Sequence, residues 1–114
     1  MRQNPEAAIQ RALVQHLYSR GISGLLFWHT PNGGKRSIGE AANFKRLGVK
    51  AGVPDLLLYY NNQLFCLELK APGGRATESQ LAFLAHADAQ GAYTATAEGL
   101  DRALATLEAW GLIA

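Results

Sequence analysis

Cysteine is almost missing from this chain. Cys66 stands alone, so no internal disulfide can form. It lies between Phe65 and Leu67 in an apolar run, where a buried thiol behaves as a small hydrophobe. The three histidines, His16, His29 and His86, are far apart and show no zinc-ligand spacing. No apolar run approaches the length of a membrane helix, and the N-terminus carries no signal-peptide pattern. The expected compartment is therefore the cytoplasm, with no membrane partner. Repeats, low-complexity tracts and linkers are absent too. At 114 residues, 48% of them hydrophobic, the chain is expected to form one domain with a real core.

Charge is scarce in net terms, +2, but uneven. Residues 1–75 hold ten Lys and Arg against four acids; residues 76–114 hold one Arg against five acids. Lys35, Arg36, Lys45, Arg46 and Lys50 form a basic cluster opposed only by Glu40. Such a cluster suits a polyanion such as nucleic acid, and suits an ordinary solvated face equally well.

The punctuation of the chain predicts its elements. Asn4 as cap, Pro5 at the first position and Gly21 at the stop frame a helix. Gly24–His29 reads as a short buried strand, and "TPNGGKRS" as a loop. Residues 38–48 suit a short helix. Gly52–Lys70 reads as strand, turn, strand, with Asn61-Asn62 as the turn. Thr77 caps a helix to about Gln90, "AYTATA" is a strand, and Glu98 to about Trp110 is a last helix. The order predicts a mixed α/β domain, a central sheet containing an antiparallel hairpin and flanked by helices. Trp110, Leu112 and Ile113 need cover, either in the core or in a dimer interface.

The hairpin carries charges that a core does not want. A two-residue loop at Asn61-Asn62 pairs positions whose numbers sum to 123, so Asp55 falls opposite Glu68, with Lys70 on the same face. Directly opposed residues have Cβ atoms roughly 4.5–5.5 Å apart, and like charges there repel. A divalent cation would relieve the repulsion, since Mg²⁺ takes oxygen ligands and keeps waters of its own. Lys70 beside it could then orient or deprotonate water, or stabilise charge on a phosphoryl group. An ordinary Asp55–Lys70 or Glu68–Lys70 ion pair at a sheet end accounts for the same residues.

Two further polar residues point the same way. Ile9, Leu13 and Leu17 form the apolar stripe of the first helix, and Glu6 lies along its middle. Its place in the first turn also suits the helix dipole. Gln80 lies on the side of Phe83, Leu84 and Ala87, where it could serve a site or simply hydrogen-bond the backbone.

Pro54-Asp55 followed by Glu68-Leu69-Lys70 matches the PD-(D/E)xK signature. Together with "PEAAIQRALVQHL", "GVKAGVPDLLLYY" and "LFCLELKAPGGRATESQ", it makes the chain resemble the VRR-NUC family of nucleases, from Pro5 to about Gly91. The resemblance implies a restriction-endonuclease-like fold and hydrolysis of DNA phosphodiester bonds with Mg²⁺ or Mn²⁺. It places Glu6, Asp55, Glu68 and the main-chain carbonyl of Leu69 at the metal, Lys70 as the catalytic lysine and Gln80 beside the site. Asn32, Lys35, Arg36, Lys45, Arg46, Lys50 and Arg75 are then expected to contact DNA, reading shape more than sequence. The chain resembles the stand-alone type found in bacteria and phages. That type implies a homodimer acting on branched DNA, four-way junctions above all. A flap, single-strand or sequence-specific nuclease and a non-catalytic DNA-binding module are the alternatives.

Overall fold

The computed structural model describes residues 4–31 and 38–114. Helix α1 (Pro5–Arg20) starts where Asn4 accepts hydrogen bonds from the Glu6 and Ala7 amides. It ends at Gly21 with extended rather than left-handed backbone, because Gly21 bridges Ile113. Strand β1 (Leu26–His29), helix α2 (Ile38–Arg46), strands β2 (Leu56–Tyr60) and β3 (Gln63–Lys70), helix α3 (Glu78–Ala89), strand β4 (Tyr93–Glu98) and helix α4 (Gly99–Ala109) follow. The four strands form one sheet in the order β1-β2-β3-β4. The first two pairings are antiparallel and the β3–β4 pairing is parallel, so the sheet is mixed, as expected.

Alternation along the strands builds two cores. Leu56, Leu58, Phe65, Leu67 and Leu69 face α1 and α4, against Leu13, Leu17, Ala103 and Leu107. On the other face Leu57 and Cys66 meet Leu84 of α3. Leu112 and Ile113 are buried in the larger core, and Trp110 packs on Phe65 with ring centroids 5.3 Å apart. The C-terminal residues therefore finish the core.

The hairpin arithmetic holds. Tyr60 pairs with Gln63 and Leu56 with Leu67, and both turn residues, Asn61 and Asn62, take positive φ of 51° and 63°. The ladder stops at Leu56, one pair short of Asp55. The expectation of a buried first strand fails. β1 is an edge, with Leu26 57% and Trp28 41% exposed, because α3 lies over β3 and β4 and stops short of it. No helix among the described residues is long and apolar enough to cross a membrane.

Gly52 fixes how the Pro54-Asp55 segment meets α3. Its φ is +78°, and a Cβ there would collide with the Ser79 carbonyl and lie 2.9 Å from the Gln80 amide. Gly52→Ala is expected to lower stability by about 2–4 kcal/mol, combining left-handed strain with a backbone clash. Gly48→Ala is the control. Gly48 also has positive φ, 93°, but open space around it, so its cost is strain alone, about 1 kcal/mol. Urea denaturation of both variants checks this, and equal losses would refute the close-approach argument.

Candidate active site

Three elements converge at one end of the sheet. α1 brings Glu6 in its first turn, the entry to β2 brings Asp55, and β3 brings Glu68 and Lys70. Glu6, Asp55, Glu68 and Gln80 line one cleft of about 560 Å³, together with Asn4, Gln10, Arg11 and His29. Lys70 is buried behind that wall, 6% exposed.

Among the described residues, Glu68 is the least comfortable group. It is 1% exposed, yet only one of its oxygens is engaged. Oε1 accepts a hydrogen bond from Gln80 Nε2 at 3.4 Å and lies 3.9 Å from Lys70 Nζ. Oε2 is buried without a partner. Burial, first of all, pushes the Glu68 carboxyl up to about 9. The hydrogen bond that a protonated Glu68 could give Asp55 and the charges of Asp55 and Glu6 push the same way, and Lys70 opposes them. A carboxylate this poorly compensated calls for a cation.

Asp55 is held from three sides. Its Oδ2 accepts from the Leu69 amide at 2.8 Å. Its carbonyl oxygen accepts from the Thr30 amide at 3.2 Å and from His29 Nδ1 at 2.8 Å. Gln80 makes both a backbone and a side-chain contact. Its Oε1 accepts from the Thr77 amide at 2.8 Å, closing a capping box on α3, while its Nε2 reaches Glu68. Leu69 sends its side chain into the core and its amide to Asp55.

The donor set fits a hard cation. Asp55 and Glu68 offer carboxylate oxygens, one of them orphaned. Among the described residues, no three His, Cys, Asp or Glu side chains stand together as a metal-holding group. Glu6 shares the cleft and the field of Glu68 without joining such a cluster. A carboxylate pair completed by main chain and water is the pattern of Mg²⁺.

The basic residues are spread more widely. Lys50 is exposed and lines a neighbouring cavity of about 620 Å³, which shares Pro31 and Gln80 with the cleft. Lys45 and Arg46, at the end of α2, and Arg75 are exposed. Asn32, Lys35 and Arg36 lie outside the described residues. Three polar residues of the cleft, Gln10, Arg11 and His29, escaped the sequence reading. The shared side of α1 that Asn4, Ala7 and Arg11 occupy, at intervals of three and four, was a signal for Arg11. For His29 the signal needs the β1–β2 register.

The VRR-NUC domain family model matches residues 4–100. Among solved structures, one titled VRR_NUC domain protein superposes with a TM-score of 0.79, over 96% of this chain and 90% of that one, at 24% identity. That likeness carries the fold. No curated protein sequence matches the chain.

Proposed function

The chain belongs to the VRR-NUC family, a nuclease-type domain with DNA as its partner, and we propose that it is a divalent-metal-dependent, structure-selective DNA endonuclease. The observation that carries this reading is the buried, half-satisfied Glu68 carboxylate beside Asp55 and Lys70. Asp55 and Glu68 would hold Mg²⁺ or Mn²⁺, completed by the Leu69 carbonyl and water, with Glu6 acting on the site's field. When bound, the cation supplies Lewis-acid charge for the phosphodiester.

The chain's own groups account for the rest of the chemistry. Water attacks phosphorus in line with the leaving 3′ or 5′ oxygen, and negative charge builds on the phosphoryl oxygens. Lys70 places a fixed positive charge next to the carboxylate pair, where it offsets that build-up and orients the water. Gln80 ties Glu68 to the start of α3, so the carboxylate cannot swing away. Lys45, Arg46, Lys50 and Arg75, with Asn32, Lys35 and Arg36, hold phosphates without reading bases. One copy of the cleft makes one cut. A two-fold homodimer makes the two symmetric cuts that a four-way junction requires.

The test is cleavage of end-labelled four-way junction, flap, single strand and linear duplex in Mg²⁺, Mn²⁺ or EDTA, beside Lys70→Ala, with solution mass measured in parallel. Paired nicks on the junction, at least about 10²-fold slower in Lys70→Ala and absent in EDTA, support the proposal. Cutting of linear duplex at one sequence would overturn shape recognition. Salt-sensitive binding without cutting in either metal would leave a DNA-binding module.

A further inference from the structure

We propose that His29 is a positioning residue of the cleft, its ring holding the main chain of Asp55 and so aiming the Asp55 carboxylate at Glu68. The inference rests on the nuclease reading above and adds a residue to it.

His29 ends β1 and pairs with Leu56, so the antiparallel register places it beside Asp55. Its Nδ1 lies 2.8 Å from the Asp55 carbonyl oxygen. A carbonyl oxygen only accepts, so Nδ1 carries the proton and donates it. The Thr30 amide donates to the same oxygen at 3.2 Å. The end of β1 therefore supplies two donors to one carbonyl, matching its two lone pairs.

What this holds is the hinge of the site. Asp55 lies between buried Pro54 and buried Leu56, outside the β2–β3 ladder. Its carboxylate is fixed at one oxygen by the Leu69 amide. Its main chain is fixed by Thr30 and His29. Among the described residues, only the bond from His29 to that carbonyl comes from a side chain and can be removed without touching the backbone. The ring itself is exposed to the cleft, so it contributes little to global packing. Groups that orient a metal-binding carboxylate typically change metal affinity or activity 10–100-fold, and small misplacements near a reacting centre have effects of that order.

The experiment compares wild type with His29→Ala, His29→Asn and His29→Gln. Two readouts are taken: kcat and KM on four-way junction, and the thermal shift of the DNA-free protein during Mn²⁺ titration. An asparagine amide reaches the place of Nδ1, whereas a glutamine amide reaches that of Nε2. His29→Ala is expected to lower kcat about 10–100-fold, with KM for DNA little changed. Half-saturating Mn²⁺ is expected to rise about tenfold. His29→Asn restores both and His29→Gln does not. An alanine variant matching wild type in both readouts overturns the proposal. So does rescue by Gln but not Asn, which would assign the Nε2 edge a direct substrate contact. A wild type that responds to Mn²⁺ but cuts no DNA sinks the nuclease reading, while the Mn²⁺ titration still judges His29. A wild type that does neither removes both.

Discussion

Asp55→Asn is expected to lower kcat/KM on branched DNA by about 10³-fold or more, equivalent to about 4 kcal/mol of transition-state stabilisation, while leaving the fold intact. The substitution separates two jobs that Asp55 does at once. As a hydrogen-bond acceptor it takes the Leu69 amide at 2.8 Å, and an asparagine Oδ1 can accept the same bond. As a charge it faces Glu68, and asparagine has none to offer a cation. The main-chain bonds from Thr30 and His29 involve the Asp55 carbonyl and are untouched. Asp55→Ala differs, since it also leaves the Leu69 amide short of its partner, at a cost of about 1–3 kcal/mol. Single-turnover cleavage with Mg²⁺ raised stepwise, beside melting curves, checks both halves. An asparagine variant cutting within tenfold of wild type would take Asp55 out of the metal site. An asparagine variant that melts like the alanine one would make Asp55 a structural acceptor instead.

The nearness of Asp55 to Glu68 was readable from sequence because a hairpin with a two-residue turn has one register, and Asp55 lies one position beyond its last pair, Leu56 with Leu67. Asn61 and Asn62 both accept left-handed backbone, and the sum of 123 follows along the ladder. The elements themselves were legible from caps and stops, Asn4 and Thr77 above all. What escaped depends on non-local geometry. β1 reads as a buried run, Leu-Leu-Phe-Trp, yet sits at the edge, since nothing in a single strand states how far α3 reaches across the sheet. His29 looked like an isolated histidine until the β1–β2 register set it against Asp55. The two readings of Gln80 could not be separated because its amide makes a contact of each kind, with the Thr77 amide at one end and Glu68 at the other. Glu6 was found from the direction of a helical stripe, but that stripe says nothing of distance. Its carboxylate shares the cleft with Asp55 and Glu68 without closing a three-carboxylate cage.

Glu68→Gln is expected to abolish cutting and, in the same protein, to raise stability in the absence of metal. The sign follows from burial. Glu68 is 1% exposed, and its carboxyl is pushed up to about 9, first by loss of hydration, then by Asp55 and Glu6, with Lys70 opposing. In the unfolded chain the same carboxyl titrates near 4.3–4.5. Between about pH 5 and 9 the folded state therefore holds a proton that the unfolded state has released. Stability attributable to this group is fully present below the unfolded value and is lost as pH rises toward the folded one, at no more than about 1.4 kcal/mol per pH unit. Glutamine removes that slope. Its amide oxygen can accept from Gln80 and Lys70, and its amide nitrogen can donate to Asp55, the bond that only a protonated Glu68 makes. At pH 8 in EDTA the variant is expected to gain about 1–3 kcal/mol, or several degrees in Tm. Mn²⁺ is expected to raise the Tm of wild type at that pH and to leave the variant unmoved, since cation and proton answer the same unpaired charge. The gain and the lost activity are then one fact: the carboxylate that unsettles the empty fold is the one that holds the cation. A glutamine variant less stable than wild type at pH 8 would break this link and make Glu68 the anion of a structural pair with Lys70.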